Sequence, residues 1–174
     1  QENQETYLVD PEKQQTSTNS NVGGARIWGV EFTNKYKFTP NKNGFTLKAS
    51  AGFTHGQDKI KNEPLNDIEP FKIVTGIEFI SSNNKFISEF ISTYSGRTRR
   101  KKDSKGYWPK PYLIFDLLGK YKYSDRLDIS FGIYNLFNKT YYIDSNISSG
   151  QSIIGIEQFA EPGRHLRLGF KFAF

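Results

Sequence analysis

Two histidines and one dense basic run are the side chains here whose chemistry best suits holding a ligand. His55 and His165 are the only imidazoles in the chain. Imidazole is a good metal ligand, yet a lone histidine at a strand end is just as readily an ordinary polar residue. The basic run is Arg97-Thr98-Arg99-Arg100-Lys101-Lys102-Asp103-Ser104-Lys105-Gly106-Tyr107-Trp108. Cations followed by aromatics suit phosphates and acidic surfaces, nucleic acid among them, although a solvated loop carries the same charges with no partner at all. There is no cysteine, which excludes disulfides, thiol catalysis and thiolate metal sites. No spacing of potential ligands forms a metal site. No nucleophile–base pair or paired-carboxylate arrangement stands out, so no catalytic residue is assigned.

The elements that carry these residues read as strands. In the last ten residues, Leu166, Leu168, Phe170, Phe172 and Phe174 fall on one parity, and His165, Arg167, Gly169, Lys171 and Ala173 on the other. Period-2 alternation puts the two sets on opposite faces of a strand. Six further segments alternate in the same way, over about 25–38, 45–55, 71–80, 85–96, 112–123 and 126–137. The fourth is the least clean, because Ser88 and Ser92 share a face with Phe86, Phe90 and Tyr94. The sixth loses its alternation at Tyr134-Asn135-Leu136-Phe137, a bulge or a strand end. All seven prolines fall between segments, as expected of a residue that cannot donate to a ladder.

Aromatics make up 16% of the 174 residues and the net charge is +6, yet mean hydropathy is only −0.64. A barrel wall reconciles these values, since half of each strand and all the loops are polar. No apolar run is long enough for a transmembrane helix, but a transmembrane β-barrel needs none. The connections alternate: 39–44, 81–84 and 124–125 are short, whereas 56–70, 97–111 and 143–164 are long. Short turns on one rim and long loops on the other is the asymmetry of outer-membrane barrels, with the short turns periplasmic. Residues 1–24, rich in Gln, Asn, Ser, Thr and Glu, read as an extracellular loop preceding a 25–174 barrel portion. With no methionine at residue 1 and no leader, the chain reads as part of a longer polypeptide. A soluble β-barrel with an enclosed ligand would alternate too, its apolar face turned to an inner core.

Several strings resemble the C-terminal barrel region of TonB-dependent outer-membrane receptors. Gly24-Ala25-Arg26-Ile27-Trp28-Gly29-Val30-Glu31 is similar to a strand motif of that family. Ile133-Tyr134-Asn135-Leu136-Phe137-Asn138-Lys139-Thr140-Tyr141 resembles its penultimate-strand signature, and Pro162-Gly163-Arg164 the turn before its last strand. Gly169, Phe172 and Phe174 match the assembly signal read by the outer-membrane insertion machinery. Asn62-Glu63-Pro64-Leu65-Asn66-Asp67-Ile68-Glu69-Pro70 resembles the haem/haemoglobin receptor branch.

The resemblance, which covers residues 22–174, implies an all-β antiparallel transmembrane β-barrel of 22 strands, of which this chain supplies about the last seven. It further implies a plug domain and a TonB-contacting box, neither with a counterpart here. The expected role is import of haem or haemoglobin-derived iron at the bacterial outer membrane, with a siderophore receptor as the alternative within the fold. No intrinsic cofactor is expected; haem enters as transported ligand. Expected partners are outer-membrane lipid and lipopolysaccharide, the TonB complex through the missing N-terminal region, the insertion machinery, and haemoglobin, with no nucleic acid. The ligand-contact candidates are His55, Arg99, Arg100, Tyr107, Trp108 and His165. Read separately from the resemblance, Gly163 either supplies a special backbone angle or is an ordinary turn glycine, and Arg164 either pairs with a lumenal carboxylate, Asp116 or Asp128, or is a solvated rim charge. The sequons Asn138-Lys139-Thr140 and Asn146-Ile147-Ser148 are uninformative in such a barrel.

Overall fold

A computed structural model describes residues 24–40, 43–65, 68–98, 106–147 and 152–174. Seven strands form one sheet: β1 Ala25–Lys37, β2 Gly44–Asp58, β3 Lys72–Ile80, β4 Phe86–Ser95, β5 Tyr112–Lys122, β6 Leu127–Tyr134 and β7 His165–Phe172. Each strand pairs antiparallel with the next in sequence, in the order β1 to β7. The described prolines all lie outside the strands.

Direct cross-strand partners share a face, and the register turns the parity pattern into two continuous surfaces. On one face Tyr36 stands opposite Leu47, Leu47 opposite Ile77, Ile77 opposite Phe90, Phe90 opposite Leu117, Leu117 opposite Ile133, and Ile133 opposite Leu166. The serines that blur β4 take part in this packing. Ser88 lies between Phe79 and Gly119, and the Phe131 ring occupies the space a Cβ on Gly119 would need. Small residues in this row make room for rings beside them.

The apolar face is exposed. Val30, Phe32, Leu166, Leu168 and Phe172 each keep more than half of their surface open. Among the described residues, the buried apolar side chains are Pro109, Tyr112, Ile147 and Ile156. A soluble barrel would enclose its apolar face; here that face is turned outward, as lipid contact requires.

The opposite face is polar and charged. Lys48 Nζ donates to Glu78 at 2.8 Å and to Glu89 at 3.0 Å. Glu78 and Glu89 are direct partners across β3 and β4, so Lys48 holds together two carboxylates that would otherwise repel. Lys120 pairs with Asp128 at 2.9 Å on the same face.

The short connections run from Phe38 to Asn43, Ser81 to Lys85 and Tyr123 to Arg126; the long ones cover 59–71, 96–111 and 135–164. β2 runs three residues beyond its expected end, and Gln57 forms an isolated bridge with Pro64. β6 stops at Tyr134 because Asn135 adopts φ +50°, so the broken alternation marks a strand end. The last long connection contains two short 3-10 turns, Asp144–Asn146 and Ile156–Phe159. Residues 1–23, with the expected extracellular loop, lie outside the described residues.

Candidate functional site

The most elaborate arrangement sits where β6 hands the chain to its long connection and receives it back at β7. Asn135 is 3% exposed. Its Nδ2 donates to the carbonyls of Lys139 at 2.8 Å and Pro162 at 3.1 Å, and its Oδ1 accepts the Lys139 amide at 2.8 Å. Its own amide donates to Asp116 Oδ1 at 2.7 Å. One amide side chain thus ties together the start of the connection, its end, and β5. Asparagine suits the position twice, because it presents both donors and acceptors and tolerates the left-handed region.

Asn138, at φ +54°, completes the clasp. Its Oδ1 accepts the Arg164 amide at 2.8 Å. A Cβ on Gly163 would lie 2.6 Å from that oxygen. Gly163 has no positive φ, which corrects the expectation of a special backbone angle; glycine is required because Asn138 approaches too closely for a side chain. The expected Arg164 ion pair is likewise not formed with the carboxylates proposed for it. Asp128 is taken by Lys120, and Asp116 by the Asn135 amide.

Above the clasp lies a tyrosine cluster. The Tyr112 and Tyr141 rings have centroids 4.6 Å apart, and Tyr107 meets Tyr142 edge-on at 5.1 Å. Burial, with the Glu161 carboxylate adding to it, pushes the Tyr141 phenol up to about 12. Burial raises the Tyr107 phenol as well. These groups remain neutral hydrogen-bonding phenols through the physiological range. Asn146 Nδ2 donates to Glu161 Oε1 at 2.8 Å, which secures the connection over the cluster.

Of the six residues expected to touch ligand, the four that are described are not gathered into one site. His55 lies on the apolar face, directly opposite Trp28, with ring centroids 5.5 Å apart. His165 lies on the polar face, stacked at 5.0 Å on Tyr134, whose ring also carries Arg167 at 4.8 Å. His165 Nδ1 is 3.0 Å from the Gly163 carbonyl, and Nε2 is buried without a hydrogen-bond partner. The two histidines therefore occupy opposite faces, with β3 to β6 between their strands. Tyr107 belongs to the tyrosine cluster, Trp108 is partly exposed, and Arg99 and Arg100 lie outside the described residues. Among the described residues, no group of three or more His, Asp or Glu could hold a metal ion.

Of the expected assembly signal, Gly169 faces Ser130 on the polar side, Phe172 faces Leu127 on the apolar side, and Phe174 extends fully exposed beyond β7. Sequence reading missed the clasp and the cluster. Both motifs of the clasp are visible in the sequence, but the hydrogen bonds that join Asn135 to Pro162 and Asn138 to Arg164, 27 and 26 residues apart, are not.

An outward apolar face, a charged face behind it, and connections alternating short and long define the wall of a transmembrane β-barrel. The family described as TonB dependent receptor-like, beta-barrel, matches residues 2–136, and the chain belongs to it. A relative from Haemophilus influenzae, hemoglobin and hemoglobin-haptoglobin-binding protein A, is 28% identical over 184 residues, covering 90% of this chain and 17% of the relative. Heme/hemopexin utilization protein C, also from Haemophilus influenzae, is 29% identical over 126 residues, covering 70% of this chain and 17% of the relative. Among solved structures, the copper transporter OprC superposes with a TM-score of 0.73 at 22% identity, covering 86% of this chain and 24% of that one. A ferric enterobactin receptor from Pseudomonas aeruginosa superposes with a TM-score of 0.69 at 20% identity, covering 88% of this chain and 23% of that one. The chain spans about a fifth of the length of these proteins.

Proposed function

We propose that this chain forms the C-terminal part of the wall of an outer-membrane receptor that imports haem or haemoglobin-derived iron. The observation that carries this reading is the continuous apolar face on a sheet of the TonB-dependent receptor-like family, together with relatives named for binding haemoglobin. The long-loop rim faces the cell exterior and the short-turn rim the periplasm. The unpaired edges of β1 and β7 are closed by further strands, 22 in all, because hydrocarbon cannot satisfy an open ladder. A plug gates that barrel and meets the TonB complex. Residues 1–24 extend from the outer rim.

Ligand contact belongs to the long-loop rim. There Tyr107, Trp108, His165 and the basic pair Arg99 and Arg100 meet haem or an acidic protein surface, while lipopolysaccharide phosphates compete for the same cations. His55, beside Trp28 on the apolar face, belongs instead to the aromatic girdle at the lipid boundary. Gly169, Phe172 and Phe174 serve insertion: Phe174→Ser or Phe172→Ser lowers the amount of receptor in the outer membrane.

Growth on haemoglobin as sole iron source is the test of substrate. Deletion of the intact gene should abolish that growth and spare growth on ferric siderophores. The reverse pattern would turn the reading into that of a siderophore receptor of the same fold. Orientation is tested separately: the chain contains no cysteine, so Ser152→Cys should react with an impermeant reagent on whole cells and Asn83→Cys should not.

A further inference from the structure

The outward, apolar face of the sheet admits a single charge. Among the described strand residues, Arg26 is the one Lys, Arg, Asp or Glu with outward parity. It stands at the long-loop end of β1. The outward cross-strand pairs there run Val30 with Phe53, Trp28 with His55, and Arg26 with Gln57. Arg26 is thus one pair, about 7 Å, beyond the aromatic pair. The next pair brings a second cation, since the Lys59 amide donates to the Gly24 carbonyl at 2.9 Å. Gly24 has outward parity, and a Cβ on it would lie 3.8 Å from Lys59 Cδ, which puts the Lys59 stem over the same face. Diagonal neighbours of this kind have Cβ atoms about 7 Å apart, close enough for two long side chains to share one anion.

The carboxylates of this hairpin are sorted to the other face. Asp58 stands opposite Ala25, on the inward side, and is 5% exposed. Its Oδ1 accepts the amides of Ile60 at 2.8 Å and Lys61 at 3.1 Å. The Asp58 amide donates to the Glu63 carbonyl at 2.9 Å, next to the bridge between Gln57 and Pro64, so Glu63 shares the inward parity of Asp58. Glu31 on β1 is inward too, opposite Gly52. Arg26 and Lys59 are exposed and form no ion pair among the described residues.

We propose that Arg26 and Lys59 bind a phosphate of lipid A, the diphosphorylated glucosamine lipid of the outer leaflet, with Trp28 beneath them against its sugar and first methylenes. Depth selects a lipid: two unmatched cations one step outside an aromatic pair lie in the headgroup layer, where a soluble protein does not reach. Charge selects phosphate, which a guanidinium and an ammonium hold by charge-assisted hydrogen bonds. The site does not depend on what completes the barrel. A strand added to the free edge of β1 lies beside this face and not over it, and a plug lies on the inward side. The choice of leaflet rests on the long-loop rim facing the exterior, and not on which ligand the receptor carries.

The test titrates the full-length receptor in detergent with diphosphoryl lipid A and counts bound lipid by native mass spectrometry. Arg26→Gln and Lys59→Gln should each weaken binding about fivefold, and the two together about thirtyfold. Lys35→Gln with Lys37→Gln removes the same charge from the inward side of β1 and should leave binding within about twofold. Lipid A stripped of both phosphates should bind the unaltered receptor no better than diphosphoryl lipid A binds the double variant. If the double variant does not fold, the single variants serve, with Arg26→Lys expected to restore most of the affinity lost in Arg26→Gln. Unchanged binding in the variants, equal losses in the two pairs, or full affinity for the dephosphorylated lipid would overturn the proposal. So would displacement of lipid A by phosphatidylglycerol or inorganic phosphate at equal concentration. Failure of the orientation reading shows separately, as protection of Ser152→Cys on whole cells.

Discussion

At the long-loop rim, Ser95, Thr98, Asn135 and Asp144 are buried, and so are Tyr112, Ile147 and Ile156. At the short-turn rim the groups are charges left open to water: the Lys122–Asp125 pair is largely exposed, and Lys85 and Arg126 are exposed beside it. One end of the sheet is organised by buried amides, hydroxyls and carboxylates and the other by solvated ions. The difference follows from length. A connection of thirty residues between β6 and β7 folds back on itself and buries backbone that must be satisfied. A five-residue turn such as Ser81 to Lys85 is short enough to be satisfied by its own hydrogen bonds, among them those between Ser81 and Phe86.

The contrast is broken most directly at Asn135. Asn135→Ala leaves the Pro162 and Lys139 groups without their partner and puts alanine in the left-handed region. The expected loss is about 3 kcal/mol, from unsatisfied buried groups and backbone strain together. Urea unfolding of the detergent-solubilised protein measures it. A midpoint that does not move would mean that the clasp is ornamental.

Gly163→Ala should cost about 1–2 kcal/mol by overpacking against Asn138 Oδ1. Asn138→Gly removes the obstructing oxygen and accepts the positive φ. The double variant should therefore be no less stable than Asn138→Gly alone. Additive losses would show that the close approach is not the reason for glycine.

Between the rims, Lys48→Met should be more damaging than Glu78→Gln, by about 1 kcal/mol, because it leaves two facing carboxylates unshielded. Equal effects in thermal unfolding would reduce the triad to ordinary surface charge.

The smallest effect concerns Tyr141. Its phenol is raised to about 12 from 10, so folding favours the neutral form. That contribution is present below the ordinary value and is lost as pH rises through the raised one. Absorbance titration of the phenolates should show Tyr141 among the last to ionise, and Tyr141→Phe should remove one phenolate from the amplitude above about pH 11. Removal of amplitude near the ordinary value instead would place Tyr141 in water.

The strands were legible because lipid enforces parity: a charged residue on the lipid face is penalised at every second position. The same rule sets His55 with Phe53 and His165 with Lys171, so the separation of the histidines could be read from odd and even numbers and register alone. The end of β2 was less legible, since His55-Gly56-Gln57-Asp58 is polar and remains strand only because β1 accompanies it through Ala25. The 3-10 turns are too short to leave a period. The clasp is invisible to any periodic reading, since its bonds join Asn135 to Pro162 and Asn138 to Arg164 across a connection of no regular pattern.

Every strand pairs only with its neighbours in the chain. The wall is thus a succession of hairpins, and no ladder depends on the length of a distant connection. An insertion between Asp144 and Glu161 lengthens the connection while Asn135 and Asn138 hold its two ends fixed. The length and sequence of a connection can therefore change while the strands keep their register, so rapid change at the rim is compatible with slow change in the sheet that carries it.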